Sequence, residues 1–343
     1  MTTALADAQM RDLEERLCSY LVGNDVIVPS ISGLQRLTGG STHDTWAFDL
    51  NHGAADARDT KPLVLRRNLV DESLDMSPEA EFRLLQWLHG AGIPVARPWL
   101  CAANDQALST PFVISERVNG VDLRKVLAKA GDTVDRRGIG LGLVALQARI
   151  HALDLARCPS GIFAPTDIAH EVERWTGPLL TVGGGKASPL MRAAIGWLRS
   201  NVPVVQAPCL VHGDFKANNI LWSEPGVPTL LDWELAHIGD PVEDLAWTML
   251  WIGKDDIVCG TMSPDDYVAA YEAVSGGGVD RERLFFWQLF SLVKLSRIML
   301  TGNGTAAENG DLGPSHAMLS RGVSCLDTAM ADYLLATVER AAA

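Results

Sequence analysis

The chain has 343 residues, of which 47% are hydrophobic and 21% are charged, and its formal net charge at pH 7 is −13. That length exceeds what a single hydrophobic core usually organises, so we expect a globular protein built as two lobes. The acidic balance argues against nucleic acid or an anionic membrane as a partner, but it leaves nucleotide binding open, because Mg²⁺ brings its own positive charge to a site.

The first residues predict an amphipathic helix rather than an export signal. Leu13, Leu17 and Leu21 recur at helical spacing, and no basic segment followed by an apolar one precedes them. No uninterrupted apolar run approaches 18 residues, so we expect no membrane span. The six cysteines are spread without a CxxC pair, a pattern typical of reduced thiols, and we therefore expect a cytoplasmic location.

The N-terminal part alternates between strand patterns and one helix pattern. Ser77 and Pro78 form a cap and a first helical position, and the apolar residues that follow them indicate a helix up to about Gly90. Strand-like runs lie on both sides of this helix, at about 31–37, 45–48, 62–66, 97–101 and 112–118.

Helical patterns dominate beyond Asn119, and only a short β patch at 208–232 interrupts them. They lie at about 122–155, 170–180, 188–201, 240–252, 264–275, 280–300 and 315–340. The sequence therefore predicts an α+β fold with a small β-rich lobe at 1–118 and a larger, mostly helical lobe at 119–343.

A dense group of polar residues occupies the β patch. Asp214, Lys216 and Asn219 follow one apolar run, and Asp232 ends the next. Carboxylate and amide oxygens of this kind are the hard ligands or bases that Mg²⁺–phosphate chemistry uses. The Pro-Gly pair at 225–226 predicts a turn, and a hairpin there would bring Asn219 and Asp232 to one site.

The motif at 212–219, His-x-Asp-x₄-Asn, followed by Asp232, resembles the catalytic and metal-binding loops of kinase-fold phosphotransferases. Glycine at position 213 and Asp-Trp-Glu at 232–234 favour the aminoglycoside phosphotransferase and choline kinase family over the protein kinases. Within that family the chain is most similar to phosphotransferase domains that occur alone in bacteria or fused to acyl-CoA dehydrogenases. The resemblance covers about residues 30–300.

The resemblance implies a role for each residue of the motif. Asp214 would be the catalytic carboxylate that accepts or orients the proton of the substrate hydroxyl, and Lys216 would neutralise charge on the transferring phosphoryl group. Asn219 and Asp232 would hold Mg²⁺ against the phosphates of ATP. His212 would brace the loop without reacting.

The N-terminal lobe would supply the remainder of the nucleotide site. Strand alternation places Val64 and Arg66 on one face and Arg67 on the other, and Arg66 would take the position of the phosphate-binding lysine of kinases. Glu81 would pair with this cation, with Glu79 as the competing partner.

Two further segments would contact ATP through their backbones. Glu116 and Val118 would meet the adenine ring as a hinge. A short loop would cover the phosphates, although an ordinary hairpin turn is the alternative reading of it. That loop consists of Gly39, Gly40, Ser41 and Thr42.

These features predict an enzyme that transfers the γ-phosphoryl group of ATP to a hydroxyl of a small molecule, with Mg²⁺ as cofactor and the nucleotide in a cleft between the lobes. The acceptor would enter against the helices at 170–201 and 264–300. Similarity to domains fused to acyl-CoA dehydrogenases favours a hydroxy acid or a hydroxyacyl-CoA as acceptor. A nucleotide-binding regulator without turnover is the alternative, although the intact set of Asp214, Asn219 and Asp232 argues against it.

Overall fold

The computed structural model divides the chain into two compact units. The first unit comprises residues 1–121, 156–162 and 220–235, and the second comprises residues 122–155, 163–219 and 236–343. The predicted boundary at residue 118 remains a prediction. The described residues are 2–24, 26, 29–37, 43–53, 59–68, 76–103, 108, 110–129, 134–164, 167–181, 187–205, 207–223, 226–250, 260–308 and 314–342.

Most helices and strands lie where the sequence patterns predict them, with strands concentrated in the first third, although the helical pattern predicted at 122–155 forms two helices. They are α1 (Thr2–Gly23), β1 (Ser30–Arg36), β2 (His43–His52), β3 (Asp59–Asn68), α2 (Pro78–Gly90), β4 (Pro98–Ala102), β5 (Phe112–Glu116), β6 (Val121–Asp122), α3 (Leu123–Lys129), α4 (Arg136–His151), α5 (Ile168–Thr181), α6 (Pro189–Ser200), β7 (Cys209–Val211), β8 (Ile220–Ser223), β9 (Val227–Leu230), β10 (His237–Gly239), α7 (Pro241–Thr248), α8 (Pro264–Ser275), α9 (Arg281–Glu308) and α10 (Pro314–Ala342). Short 3₁₀ helices lie at Leu155–Arg157 and Ala217–Asn219.

The first unit is built on an antiparallel sheet of five strands in the order β1-β2-β3-β5-β4. Leu63 and Leu65 of β3 are fully buried on one sheet face, where they join the leucines that α1 presents at helical spacing. Burial of such side chains is the main stabilising contribution to this unit. Because successive strand residues point to opposite faces, the same register places Arg66 on the other face.

The second unit is mostly helical, and α9 lies at its centre, in contact with α5, α6, α7 and α10. The segment Arg281–Gly302 of α9 is long and apolar enough to cross a membrane, but 61% of its most apolar window is buried within the protein. A central core helix has the same composition, and we therefore assign this segment to the core of the second unit.

A two-stranded antiparallel ribbon of β7 and β10 carries the polar motif in the second unit. His237 pairs with Val211 across this ribbon. The sequence patterns did not predict β10, because its three residues are too few for a recognisable alternation.

Candidate active site

The catalytic loop, residues 212–219, begins where the buried strand β7 ends. Gly213 has φ of 78°, in the left-handed region that residues with a Cβ rarely adopt. Glycine is therefore the residue that allows the chain to turn directly after the strand and to present Asp214.

Three donors hold the carboxylate of Asp214, which is 8% exposed. Trp247 Nε1 and Lys216 Nζ both lie 2.8 Å from Oδ1, and Asn219 Nδ2 lies 2.7 Å from Oδ2. Hydrogen bonds to an ionised acceptor are among the stronger ones in proteins, so the carboxylate has a fixed orientation. The sequence therefore correctly predicts that Asp214, Lys216 and Asn219 lie together.

The side chain of Asn219 is oriented by its amide nitrogen. That nitrogen donates both to the Asp214 carboxylate and, at 3.0 Å, to the Asp214 carbonyl. Since the two amide donors face Asp214, the amide oxygen points away from it and is available as a ligand. An oxygen of this type suits Mg²⁺, so the residue fits the predicted metal role.

Asp244, on the first turn of α7, anchors the backbone of the catalytic loop. Its two carboxylate oxygens accept the amide N–H groups of His212 and Gly213, each at 2.8 Å. Burial opposes ionisation of this carboxyl, but hydrogen bonding and charge from His151, 3.1 Å away, hold the pKa of Asp244 below its ordinary value. Asp244 thus braces the loop.

His212 also acts within the loop. Its Nδ1 accepts the backbone N–H of Asp214 at 3.1 Å, and its side chain is fully buried. A buried ring that accepts a backbone N–H has a structural function, so the predicted bracing role agrees with this geometry.

Lys294 of α9 anchors the loop from a second direction, and sequence analysis did not identify it. It is 1% exposed, and its ammonium group donates to the Gly213 carbonyl at 3.2 Å and to Glu243 at 3.4 Å. The same ammonium lies 4.9 Å from the ring centroid of Trp247, which itself donates to Asp214. The only sequence signal was a lysine inside an otherwise apolar helix, which is rare without a buried partner.

In the first unit, Arg66 and Glu81 form an ion pair with 2.5 Å between Nη2 and Oε2. Burial raises the pKa of Glu81, with Arg66 opposing that effect and the nearby charge of Asp232 adding to it. The partner of Arg66 is therefore Glu81 and not Glu79, and Val64 lies half-buried on the same strand face. Arg67, on the opposite face, pairs instead with Asp44.

Asp232 follows the β8–β9 hairpin that the Pro-Gly pair predicts, in which Ile220 is opposite Leu230. Its φ is 65°, the one positive value among the described residues other than glycine. A strained backbone in a carboxylate residue is typical of a functional site, because the surrounding structure must hold it there. The charge of Asp232 contributes to raising the pKa of Glu81, so this carboxylate lies within electrostatic range of the partner of Arg66.

The predicted hinge follows β5. The amide of Glu116 donates to the Arg97 carbonyl at 2.9 Å, so this residue can offer an adenine ring only its carbonyl oxygen. No hydrogen-bond partner for the half-buried amide of Val118 occurs within the described part of the chain. Backbone donors in such positions usually have a partner, and a nucleotide base can provide one. The predicted loop at Gly39, Gly40, Ser41 and Thr42 lies outside the described residues.

Comparison with known proteins gives one consistent family. A family model described as "Phosphotransferase enzyme family" matches residues 33–285. The mouse (Mus musculus) acyl-CoA dehydrogenase family member 10 is 26% identical over 316 residues, which are 81% of this chain and 29% of that protein. The rat (Rattus norvegicus) family member 11 is 31% identical over 71% of this chain and 31% of its own length. The chain thus spans about a third of each of these relatives.

Solved structures agree with this assignment. A Ralstonia eutropha protein proposed to be an aminoglycoside phosphotransferase has a TM-score of 0.72 and 20% identity, covering 93% of this chain and 97% of that one. A thermostable mutant of aminoglycoside phosphotransferase APH(4)-Ia, in a ternary complex with AMP-PNP and hygromycin B, has a TM-score of 0.61 and 19% identity over 92% and 98%. These similarities confirm the predicted kinase-like α+β fold. The chain belongs to the phosphotransferase enzyme family.

Proposed function

We propose that this phosphotransferase is an ATP- and Mg²⁺-dependent cytoplasmic kinase that transfers the γ-phosphoryl group of ATP to a hydroxyl group of a small hydroxy acid or hydroxyacyl-CoA. The observation that carries the proposal is the geometry of Asp214 and Asn219. One carboxylate is fixed by three donors, and the amide beside it is oriented with its oxygen outward. That arrangement suits a proton acceptor next to a metal ligand.

In the reaction, the acceptor oxygen forms a bond to the γ-phosphorus while the bond between that phosphorus and the bridging oxygen of ADP breaks. Asp214 orients the attacking hydroxyl and takes its proton, and Lys216, 2.8 Å from the same carboxylate, offers positive charge to the transferring group. Mg²⁺ would neutralise charge on the phosphates, and Asn219 and Asp232 each offer an oxygen ligand for it. Dissociative transfer needs little covalent assistance, so placement and charge suffice.

Nucleotide binding is supported by two features of the first unit. The Arg66–Glu81 pair holds a cation on the strand face where kinases carry their phosphate-binding lysine. The amide of Val118, which has no hydrogen-bond partner in the described part of the chain, offers a donor to adenine. Related folds have been solved with AMP-PNP and with ADP, which is consistent with ATP as the donor.

A hydroxy acid or hydroxyacyl-CoA acceptor is favoured by the relatives, whose names place them among the acyl-CoA dehydrogenases. Aminoglycosides are the alternative, since an aminoglycoside 3'-phosphotransferase from Streptomyces fradiae is 25% identical over 71% of this chain and 89% of its own length. A regulator without turnover is less favoured, because it would have no need of the ordered contacts around Asp214.

The test is a measurement of phosphate transfer from γ-labelled ATP to 3-hydroxybutyryl-CoA, 3-hydroxybutyrate, kanamycin and choline, with Mg²⁺ titrated from zero. We expect transfer to at least one hydroxyl acceptor and no transfer without a divalent cation. Asp232→Ala should abolish the Mg²⁺ dependence of ATP binding, whereas Asp59→Ala, an exposed acid of the same unit, should leave it unchanged. An unchanged Mg²⁺ titration for Asp232→Ala would exclude the metal assignment.

A further inference from the structure

Three cationic groups surround the indole ring of Trp175 on α5. The guanidinium carbons of Arg174 and Arg297 each lie 5.0 Å from the ring centroid, and the ammonium of Lys294 lies 5.1 Å from it. We call these four residues the Trp175 cluster. Aromatic rings attract cations through their π face, but three cations at one ring repel each other unless anions are also present.

The carboxylates that contact the Trp175 cluster balance only part of its positive charge. Glu171 takes Arg174 in a two-point contact at 2.9 and 2.6 Å and also accepts Trp175 Nε1 at 2.7 Å. Glu243 lies 3.4 Å from Lys294. Arg297 donates to the carbonyl of Arg174, and among the described residues no carboxylate lies within 4.0 Å of it.

Arg297 is therefore a half-buried cation that forms no ion pair among the described residues, although the charge of Glu171 acts on it from a greater distance. Burial lowers the pKa of both Arg174 and Arg297, and the charge of Arg297 contributes to the lowering at Arg174. Such an excess of positive charge costs free energy, which an incoming anion would offset.

The cluster is connected to the catalytic carboxylate within the second unit. Lys294 lies between the rings of Trp175 and Trp247, 5.1 and 4.9 Å from their centroids. Trp247 in turn donates to Asp214 at 2.8 Å. One row of side chains thus runs from the carboxylate of Asp214 to Arg297.

A metal ion is the competing occupant of this region, because ligand atoms of Glu171, His237 and Glu243 all lie within 4.8 Å of one another. The cations already present argue against it. Arg174 uses both oxygens of Glu171, and Lys294 lies beside Glu243. A divalent cation would have to displace or face these charges, so the trio is better explained as an internal ion-pair network.

We propose that Arg297, with Arg174, binds a negatively charged group of the phosphate acceptor, a carboxylate or a phosphate, on the ring of Trp175. Arginine suits this task because its planar fork binds carboxylate and phosphate through two parallel hydrogen bonds. The same charge disfavours polycationic aminoglycosides as acceptors. The proposal rests on the proposed function in assigning the bound anion to the acceptor, while the binding site itself can be tested without catalysis.

Calorimetric titration without ATP tests the site directly. The probes are 3-hydroxybutyrate, its uncharged analogue 1,3-butanediol, 3-hydroxybutyryl-CoA, free coenzyme A and kanamycin. We expect an anionic probe to bind the wild-type protein and the diol and kanamycin not to bind. Binding of 3-hydroxybutyrate would identify the carboxylate as the recognised group, and binding of only the two coenzyme A compounds would identify the phosphates.

The variants decide whether Arg297 is responsible. Arg297→Gln should weaken binding of the anionic probe about tenfold or more, and Arg297→Lys should retain part of it, because the charge remains and the fork is lost. Arg192→Gln on α6 is the matched control, since Arg192 also donates to a backbone carbonyl, at 3.2 Å, but lies outside the cluster. Thermal unfolding of each variant, followed by circular dichroism, shows whether the fold is intact.

Unchanged binding to folded Arg297→Gln, or no binding of any anionic probe to the wild-type protein, would overturn the proposal. The proposed function fails in a different way. If an anion binds through Arg297 but no phosphate is transferred from ATP to any acceptor, the site remains and the catalytic assignment fails. If phosphate is transferred and Arg297→Gln leaves the KM of the acceptor unchanged, the catalytic assignment remains and the site fails.

Discussion

The catalytic loop of the second unit and the Arg66–Glu81 pair of the first unit are held in different ways. The loop at 212–219 is fixed by hydrogen bonds from side chains far along the sequence, among them Asp244 and Lys294. Arg66 is fixed by one carboxylate, from a helix that follows its strand directly. A site that several side chains hold in place should lose function mainly when its reacting group is replaced. A site held by one ion pair should lose function when either partner of the pair is replaced.

The largest expected effect is at the reacting group of the braced loop. Asp214→Asn should leave ATP binding near normal and lower kcat by about 10²-fold or more, because an amide cannot take the hydroxyl proton. Steady-state kinetics together with calorimetric titration of ATP would measure both quantities. A variant with wild-type kcat would show that another group takes the proton.

The second prediction concerns the pair with a single brace. Arg66→Ala should raise the KM for ATP and lower kcat together, about tenfold or more in kcat/KM, since phosphate contacts are lost in both the ground state and the transition state. Arg66→Lys should retain part of the activity, because the charge remains. The Arg66→Ala and Glu81→Gln changes should be non-additive when combined, as expected for partners in contact.

Arg67→Ala is the control for that experiment. Arg67 pairs with Asp44, on the other sheet face from Arg66, so its loss should lower stability and leave the kinetics of ATP nearly unchanged. If Arg67→Ala is the damaging change and Arg66→Ala is not, the assignment of the strand face to the nucleotide is wrong.

The two regions also differ in how much of each could be predicted from the sequence. Arg66 and Glu81 lie on a strand and on the next helix, and the resemblance to kinases was what paired them, with Glu79 as the competing partner. The motif at 212–219 was recognisable because its residues are close in sequence. Lys294 and Trp247 were missed, since their partners Gly213 and Asp214 lie 81 and 33 residues away and no local pattern links them.

The buried brace of the loop gives a third prediction of intermediate size. Lys294→Met keeps the length and apolar stem of the side chain, but it takes this donor from the Gly213 carbonyl and leaves His237 as the remaining partner of the Glu243 carboxylate. We expect the free energy of unfolding to fall by about 3 kcal/mol or more, as for a broken buried ion pair. We also expect kcat to fall about tenfold with the KM for ATP nearly unchanged, because only the position of Asp214 is affected.

Combining Lys294→Met with Glu243→Gln separates the two roles of this lysine. The double variant removes the buried carboxylate that has lost its lysine, so part of the lost stability should return. The loss in kcat should remain, since the Gly213 carbonyl still lacks its donor. A kcat that recovers together with stability would show that Lys294 contributes only to folding.

The smallest expected effect is one of stability alone, and it tests whether the ion-pair network behind the loop is charged as the structure indicates. Burial opposes protonation of His237, but the charge of Glu243 and a 3.1 Å contact with it outweigh that effect, and the pKa of His237 is raised from its ordinary 6.5 to about 9. The charged groups that face its ring are Glu171 of α5, Glu243 of α7 and Lys294 of α9.

Because the folded protein binds the proton of His237 more tightly than the unfolded chain, the stabilisation is fully present below about pH 6.5, decreases as the pH rises, and is lost above about pH 9. Its size should be about 3 kcal/mol. Urea unfolding between pH 6 and pH 10 would measure it, with His237→Gln as the matched variant, because glutamine can still donate to Glu243 but does not titrate in this range. The difference in stability between the wild type and the variant should shrink across that window. A difference that stays constant with pH would show that His237 is neutral in the folded protein, and the network would then carry one positive charge fewer.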